Sequence, residues 1–145
     1  KSAIQLLKES GGGSIINIGS TSSFMGTPLR SAYTASKWGL IGLTKTWAME
    51  YGKDKIRINT ICPTSVSGER IEGVIERDAE YRKIDPEKIR QAYLDQTSLK
   101  TFIDSEEIVG MVVYLLSPLA KNISGQMIVI DGHTETLAMP EFSEE

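Results

Sequence analysis

Three side chains near the start of the chain are of types and spacing that could move a proton. Tyr33 and Lys37 stand four residues apart, and Ser20 lies thirteen residues before Tyr33. On a helix, an i,i+4 pair shares one face. An ammonium beside a phenol favours the phenolate, and a phenol so placed serves as a general acid or base. A serine hydroxyl beside that pair could hold a substrate oxygen. Tyr-x-x-x-Lys is a weak pattern by itself, because Tyr51 and Lys55 also match it. That second pair straddles Gly52, where the helical pattern ends, and reads as an ordinary neighbour pair. Only Tyr33 and Lys37 follow a strand, a serine-rich loop and Pro28.

The elements that must position these groups alternate in type. Ala3, Ile4, Leu6 and Leu7 have helical spacing within Ser2 to Glu9, and Gly11-Gly12-Gly13 stops that run. No convincing first turn precedes it, so it reads as the end of a longer helix. Ser14 to Ile18 is a short apolar strand, and Gly19 to Gly26 a small, polar loop. A long helix is expected over Ser31 to Gly52. Gly39 and Gly42 inside it would let another backbone come close. Ile56 to Cys62 is the second strand, ended by Pro63. The charged segment from Glu69 carries a helical stripe of Ile71, Val74, Ile75 and Ala79. Asp85 and Pro86 open another short helix, to about Leu94. Asp104 with Glu107 forms a capping-box start for a helix that Ser117-Pro118 ends. Gln126 to Ile130 is the last strand, and Glu141 to Glu145 an acidic, frayed tail. Apolar strands separated by helices predict an α/β fold with a parallel sheet covered on both faces. Three strands are few for such a sheet, which suggests that an N-terminal half is absent.

Composition narrows the function. The chain has 145 residues, 40% hydrophobic and 24% charged, which suits one globular domain. A net charge of −3 gives no electrostatic footprint for nucleic acid or anionic lipid. No apolar run approaches the ~20 residues of a membrane span. One cysteine and one histidine exclude an internal disulfide framework, a cysteine-rich zinc site and a His/Cys metal cluster. A reducing, cytoplasmic setting is the simplest reading. Cys62 is expected to pack at a buried strand end, and His133 to lie on the surface or at a subunit contact.

Four stretches together carry a family resemblance. They are Gly13-Ser14-Ile15-Ile16-Asn17-Ile18-Gly19-Ser20, Ala32-Tyr33-Thr34-Ala35-Ser36-Lys37, Ile56-Arg57-Ile58-Asn59-Thr60-Ile61-Cys62-Pro63, and Asn122-Ile123-Ser124-Gly125-Gln126 to Asp131-Gly132. In order and spacing they resemble the short-chain dehydrogenase/reductase family, nearest its simple reductases of the 3-oxoacyl-(acyl-carrier-protein) type. The resemblance covers nearly the whole chain. It implies that residues 1–145 are the C-terminal part of one NAD(P)-binding, Rossmann-like domain, with helices on both faces of a doubly wound parallel sheet. The cofactor-binding N-terminal half would be absent.

The resemblance implies a set of roles. Tyr33 would transfer the proton, and Lys37 would tune Tyr33 and bond the nicotinamide ribose. Ser20 would hold the substrate oxygen. Apart from the resemblance, Ser22 and Met25 read equally as substrate-pocket lining or as plain loop structure. Pro63, Thr64 and Val66 would pack on the nicotinamide of NAD or NADP, and residues 68–95 would form a substrate lid. The substrate would be a small alcohol or ketone, and the assembly a homotetramer or dimer. Thr64 stands where the family usually has Gly, and Gly68 where it often has Thr. Two rival readings remain. One is an inactive half-domain or interaction module. The other is the chemistry of the extended relatives acting on nucleotide sugars, against which the short Asn-Ile-Ser-Gly-Gln ending argues.

Overall fold

A computed structural model describes residues 2–142, so the last three residues of the acidic tail lie outside the described residues. Three parallel strands form one sheet: β1 (Gly13–Ile18), β2 (Ile56–Pro63) and β3 (Met127–Ile130), in the order β1-β2-β3. Gly13 pairs with Ile56 and Ile18 with Ile61, and Thr60 to Pro63 pair with Met127 to Ile130. Each strand runs as an apolar stretch because both faces are covered. Period-two alternation sends Ile15 to one face and Ile16 to the other.

One face meets α1 (Ser2–Glu9) and α2 (Ser31–Tyr51). There Ile4, Ile56 and Ile58 are buried together, with Leu7, Ile15, Trp47, Ala48 and Tyr51 packed around them. The other face meets α5 (Ser105–Leu116), where Ile61, Leu115 and Ala120 anchor a second cluster. The Arg57 guanidinium donates to the Leu115 carbonyl at 2.7 Å, satisfying an orphan acceptor at the end of α5. Two further helices, α3 (Glu69–Arg82) and α4 (Pro86–Asp95), form a third cluster of their own from Ile71, Ile75, Ala79 and Ile89.

The local signals work as their chemistry predicts. The Asp85 carboxylate accepts from the Glu87 amide at 2.8 Å, with Pro86 in the first turn of α4. Glu107 accepts from the Asp104 amide at 2.8 Å in a closed capping box. Apart from the backbone of α2 itself, no described atom comes within 4 Å of where a side chain would start at Gly39 or Gly42, so no other backbone of this chain approaches either glycine. They lie on an exposed face of α2 beside Trp38 and Leu43. Tyr51 also meets a different cation from the one its spacing suggests: Lys8, from α1, sits 5.2 Å from its ring centre. Among the described residues no helix is long and apolar enough to cross a membrane.

Candidate active site

The carboxyl ends of β1 and β2 open into a cleft of about 960 Å³. Ligands in open α/β sheets bind at such ends. Ser20, Tyr33 and Lys37 all line this cleft. Ser20 follows β1 at the N-terminus of a short turn, Thr21–Ser23, and has extended backbone. Its hydroxyl accepts from the Ser22 amide at 3.2 Å, and its own amide donates to the Ser23 hydroxyl at 3.1 Å. Accepting from an amide leaves the Ser20 hydroxyl proton free to be donated. Gly19, just before it, is forced by close approach. A Cβ there would stand 2.7 Å from the Cys62 sulfur and 2.8 Å from the Ser23 hydroxyl.

Tyr33 and Lys37 project from the first turns of α2. Lys37 Nζ donates to the Ile18 carbonyl at 3.0 Å and lies 5.7 Å from the centre of the Tyr33 ring. The end of β1 thereby fixes the ammonium beside the phenol. Tyr33 keeps 37% of its surface exposed and lines the cleft. Beneath this corner runs a buried relay of side-chain hydrogen bonds. Asn17 Nδ2 donates to Thr44 at 2.8 Å, and the Thr44 and Thr60 hydroxyls are 2.7 Å apart. The relay ties α2 to β1 and β2 and so fixes the face that carries Lys37. Burial pushes the Cys62 thiol up, against hydrogen bonds to Ser23 and Ser20 and the charge of Lys37. A buried thiol of this kind packs rather than reacts.

Pro63, Thr64 and Val66 line the same cleft where β2 ends. Val66 pairs with Ile103, and the Thr64 amide donates to the Ile130 carbonyl at 3.2 Å. Gly68 caps α3 at φ +123°, a conformation that residues with side chains rarely adopt. Ser22 lines the cleft, but it is buried and its hydroxyl lies 2.7 Å from that of Thr27. Met25 is not among the lining residues.

The family model described as enoyl-(acyl carrier protein) reductase matches residues 1–133. The chain belongs to the short-chain dehydrogenase/reductase family. It is 36% identical over 133 residues to D-beta-hydroxybutyrate dehydrogenase of Rhizobium meliloti (strain 1021), covering 91% of this chain and 52% of that protein. Among solved structures it resembles 4-hydroxyisoleucine dehydrogenase complexed with NADH (37% identity, TM-score 0.71, 91% of this chain and 51% of that one). It also resembles the L-sorbose reductase of Gluconobacter frateurii complexed with NADPH and L-sorbose (26% identity, TM-score 0.83, 91% and 51%). The chain thus spans about half the length of the relatives it matches. As in the short-chain dehydrogenase/reductase fold, the sheet is parallel with helices on both faces.

Several cleft residues had no signal in the sequence. Arg30, Arg77 and Tyr93 line it from α2, α3 and α4, and Leu137 and Met139 from the C-terminal segment. Burial pushes the Tyr93 phenol up and the Asp78 charge adds to this, while Arg30 and Arg82 pull the other way. No short-range pattern links these positions, because α3, α4 and the C-terminal segment meet the corner of Ser20, Tyr33 and Lys37 only through the fold.

Proposed function

We propose that this chain carries the catalytic corner of an NAD(P)-dependent oxidoreductase that interconverts a hydroxyl and a carbonyl on a small alcohol or ketone. The observation that supports this best is Lys37, held by the Ile18 carbonyl beside the Tyr33 ring in the cleft that Ser20 lines. The nicotinamide cofactor supplies or accepts the hydride when bound. The residues present suit its nicotinamide end. An ammonium has three donors, and Lys37 gives one to Ile18, which leaves two for ribose hydroxyls. Pro63, Thr64 and Val66 offer a wall for the ring. Gly11-Gly12-Gly13 is not a pyrophosphate turn, because it closes a helix and leads into a strand.

In this reading the Ser20 hydroxyl donates to the substrate oxygen and holds it against Tyr33. Tyr33 gives its proton to that oxygen in reduction and takes it back in oxidation. The positive charge of Lys37 stabilises the negative charge left on the phenol. Residues 68–95 cover the substrate as a lid. The same reading makes the chain the C-terminal part of one domain in a cytoplasmic homo-oligomer.

The test is turnover of simple ketones with NADH and with NADPH by the full-length protein, followed by nicotinamide absorbance. Tyr33→Phe should lower kcat/KM by about 10²–10⁴-fold, with an unchanged circular dichroism spectrum. Undiminished turnover in Tyr33→Phe would remove Tyr33 from the chemistry.

A further inference from the structure

Beyond the catalytic corner, the cleft carries an excess of positive charge. Five cationic side chains line it against two carboxylates, Glu69 and Asp78, although the whole chain has a net charge of −3. Asp78 is engaged, accepting from Arg82 Nε at 2.8 Å. Lys37 is bonded to Ile18. Glu69 stands in the first turn of α3, where the helix dipole stabilises its charge. Arg30, Arg70 and Arg77 form no ion pair among the described residues.

Two of these guanidiniums line the cleft from different elements. Arg30 occupies the N-terminal cap of α2, three residues before Tyr33, and makes no side-chain capping bond. The chain reaches it through Leu29, a fully exposed leucine at φ +62°. Arg77 comes from α3 and folds back over Gly73. Its Nη1 lies 3.3 Å from where a Cβ on Gly73 would start, so that glycine leaves room for the guanidinium. Tyr93 lines the same cleft from α4. Unpaired guanidiniums lining one cleft are suited to carboxylate or phosphate oxygens.

We propose that Arg30 and Arg77 receive an anionic group, a carboxylate or a phosphate, carried by the substrate a few atoms from its reacting carbonyl or hydroxyl. This rests on the roles given above to Ser20, Tyr33 and Lys37. It narrows the substrate from any small ketone to a keto or hydroxy compound with a charged end.

The experiment uses matched probes with the full-length protein: acetoacetate against methyl acetoacetate, and glycerone phosphate against glycerone. The charged member of at least one pair should have a kcat/KM higher by about tenfold or more, as charged hydrogen bonds warrant. The pair that shows the preference distinguishes carboxylate from phosphate. The Arg30→Met/Arg77→Met variant should bring that ratio close to one. A ratio near one in the wild type, or one unmoved in the variant, would overturn the proposal. Calorimetric titration with acetoacetate and with glycerone phosphate, without nucleotide, reads the same site independently of turnover. Binding of either that is lost in the double variant supports the arginine site, while equal heats in both proteins, or none in either, count against it. If none of the four compounds turns over, the hydride-transfer reading falls, and the titration still decides the arginines.

Discussion

The floor of the cleft and the helical pair proposed as its lid are built by different physics. The floor stands on a parallel ladder whose Ile56, Ile58 and Ile61 are essentially inaccessible, reinforced by the buried Asn17–Thr44–Thr60 relay. The lid has a core of its own, Ile71, Ile75, Ala79 and Ile89, separate from both sheet clusters. What ties α3 to α4 outside that core is the ion pair of Glu72 with Arg90, one arm of which is 2.9 Å. The C-terminal segment crosses the same core with Met139 and Phe142, the amide of Glu135 donates to the Gln96 carbonyl at 2.8 Å, and Arg82 stacks on Phe142. Small clusters held by surface contacts open at lower free energy than a buried sheet. The proposed proton-transfer groups therefore sit on the stiff part, and the residues proposed to choose the substrate reach in partly from the part able to adjust.

The largest expected effect falls on the floor. Lys37→Met should lower kcat/KM by about 10²–10³-fold, the scale of losing one preorganised electrostatic group. Steady-state kinetics checks this, and an unchanged melting temperature would place the loss in the chemistry rather than the fold.

A pair of truncations separates the two regions directly. Ile58→Ala and Ile75→Ala each delete a buried side chain, a change that costs about 2–5 kcal/mol. For Ile58 the loss should appear in global denaturant unfolding. For Ile75 it should appear first as faster amide exchange in α3 and α4, with β2 little changed. Equal acceleration in both regions for both variants would end the distinction between floor and lid.

Thr44→Val sharpens the same contrast at smaller scale. It removes the hinge of the relay and leaves Asn17 and Thr60 with unmet hydrogen bonds, at a cost of about 1–3 kcal/mol. Urea unfolding measures it.

The smallest effect belongs to the lid and depends on pH. The hydrogen bond and charge of Arg90 hold the Glu72 carboxyl below its usual range. A carboxyl lowered in the folded state contributes stability above its unfolded pKa of about 4.3 and loses it as pH falls through the folded value. Proteolysis of the lid should therefore quicken as pH falls below about 4, and in Glu72→Gln it should be faster at neutral pH and flatter on acidification. An identical pH profile in the two proteins would take the ion pair out of the account.

Much of this is legible in the sequence. The strand runs, the glycine stop at Gly11-Gly12, the Asp85-Pro86 start, the Asp104/Glu107 box and the Tyr33/Lys37 spacing are signals confined to a few neighbouring residues. Backbone conformation responds to such neighbours, because caps, turns and helical faces are made within about one turn of chain. Everything that required distant segments to meet was decided by the tertiary structure. Asn17 and Thr44 are 27 residues apart, and Thr44 and Thr60 are 16 apart. Lys8 rather than Lys55 finds Tyr51, Met25 falls outside the cleft lining, and Gly39 and Gly42 face open space. Arg30 and Arg77 reach one cleft only because α2 starts at the carboxyl edge of the sheet and α3 folds back over it. By itself, the sequence determined the elements and the spacing of the groups that could do chemistry. Only the packing of helices on both faces of a parallel sheet decided which charges share a cleft, because side-chain proximity across crossover connections has no local period to read.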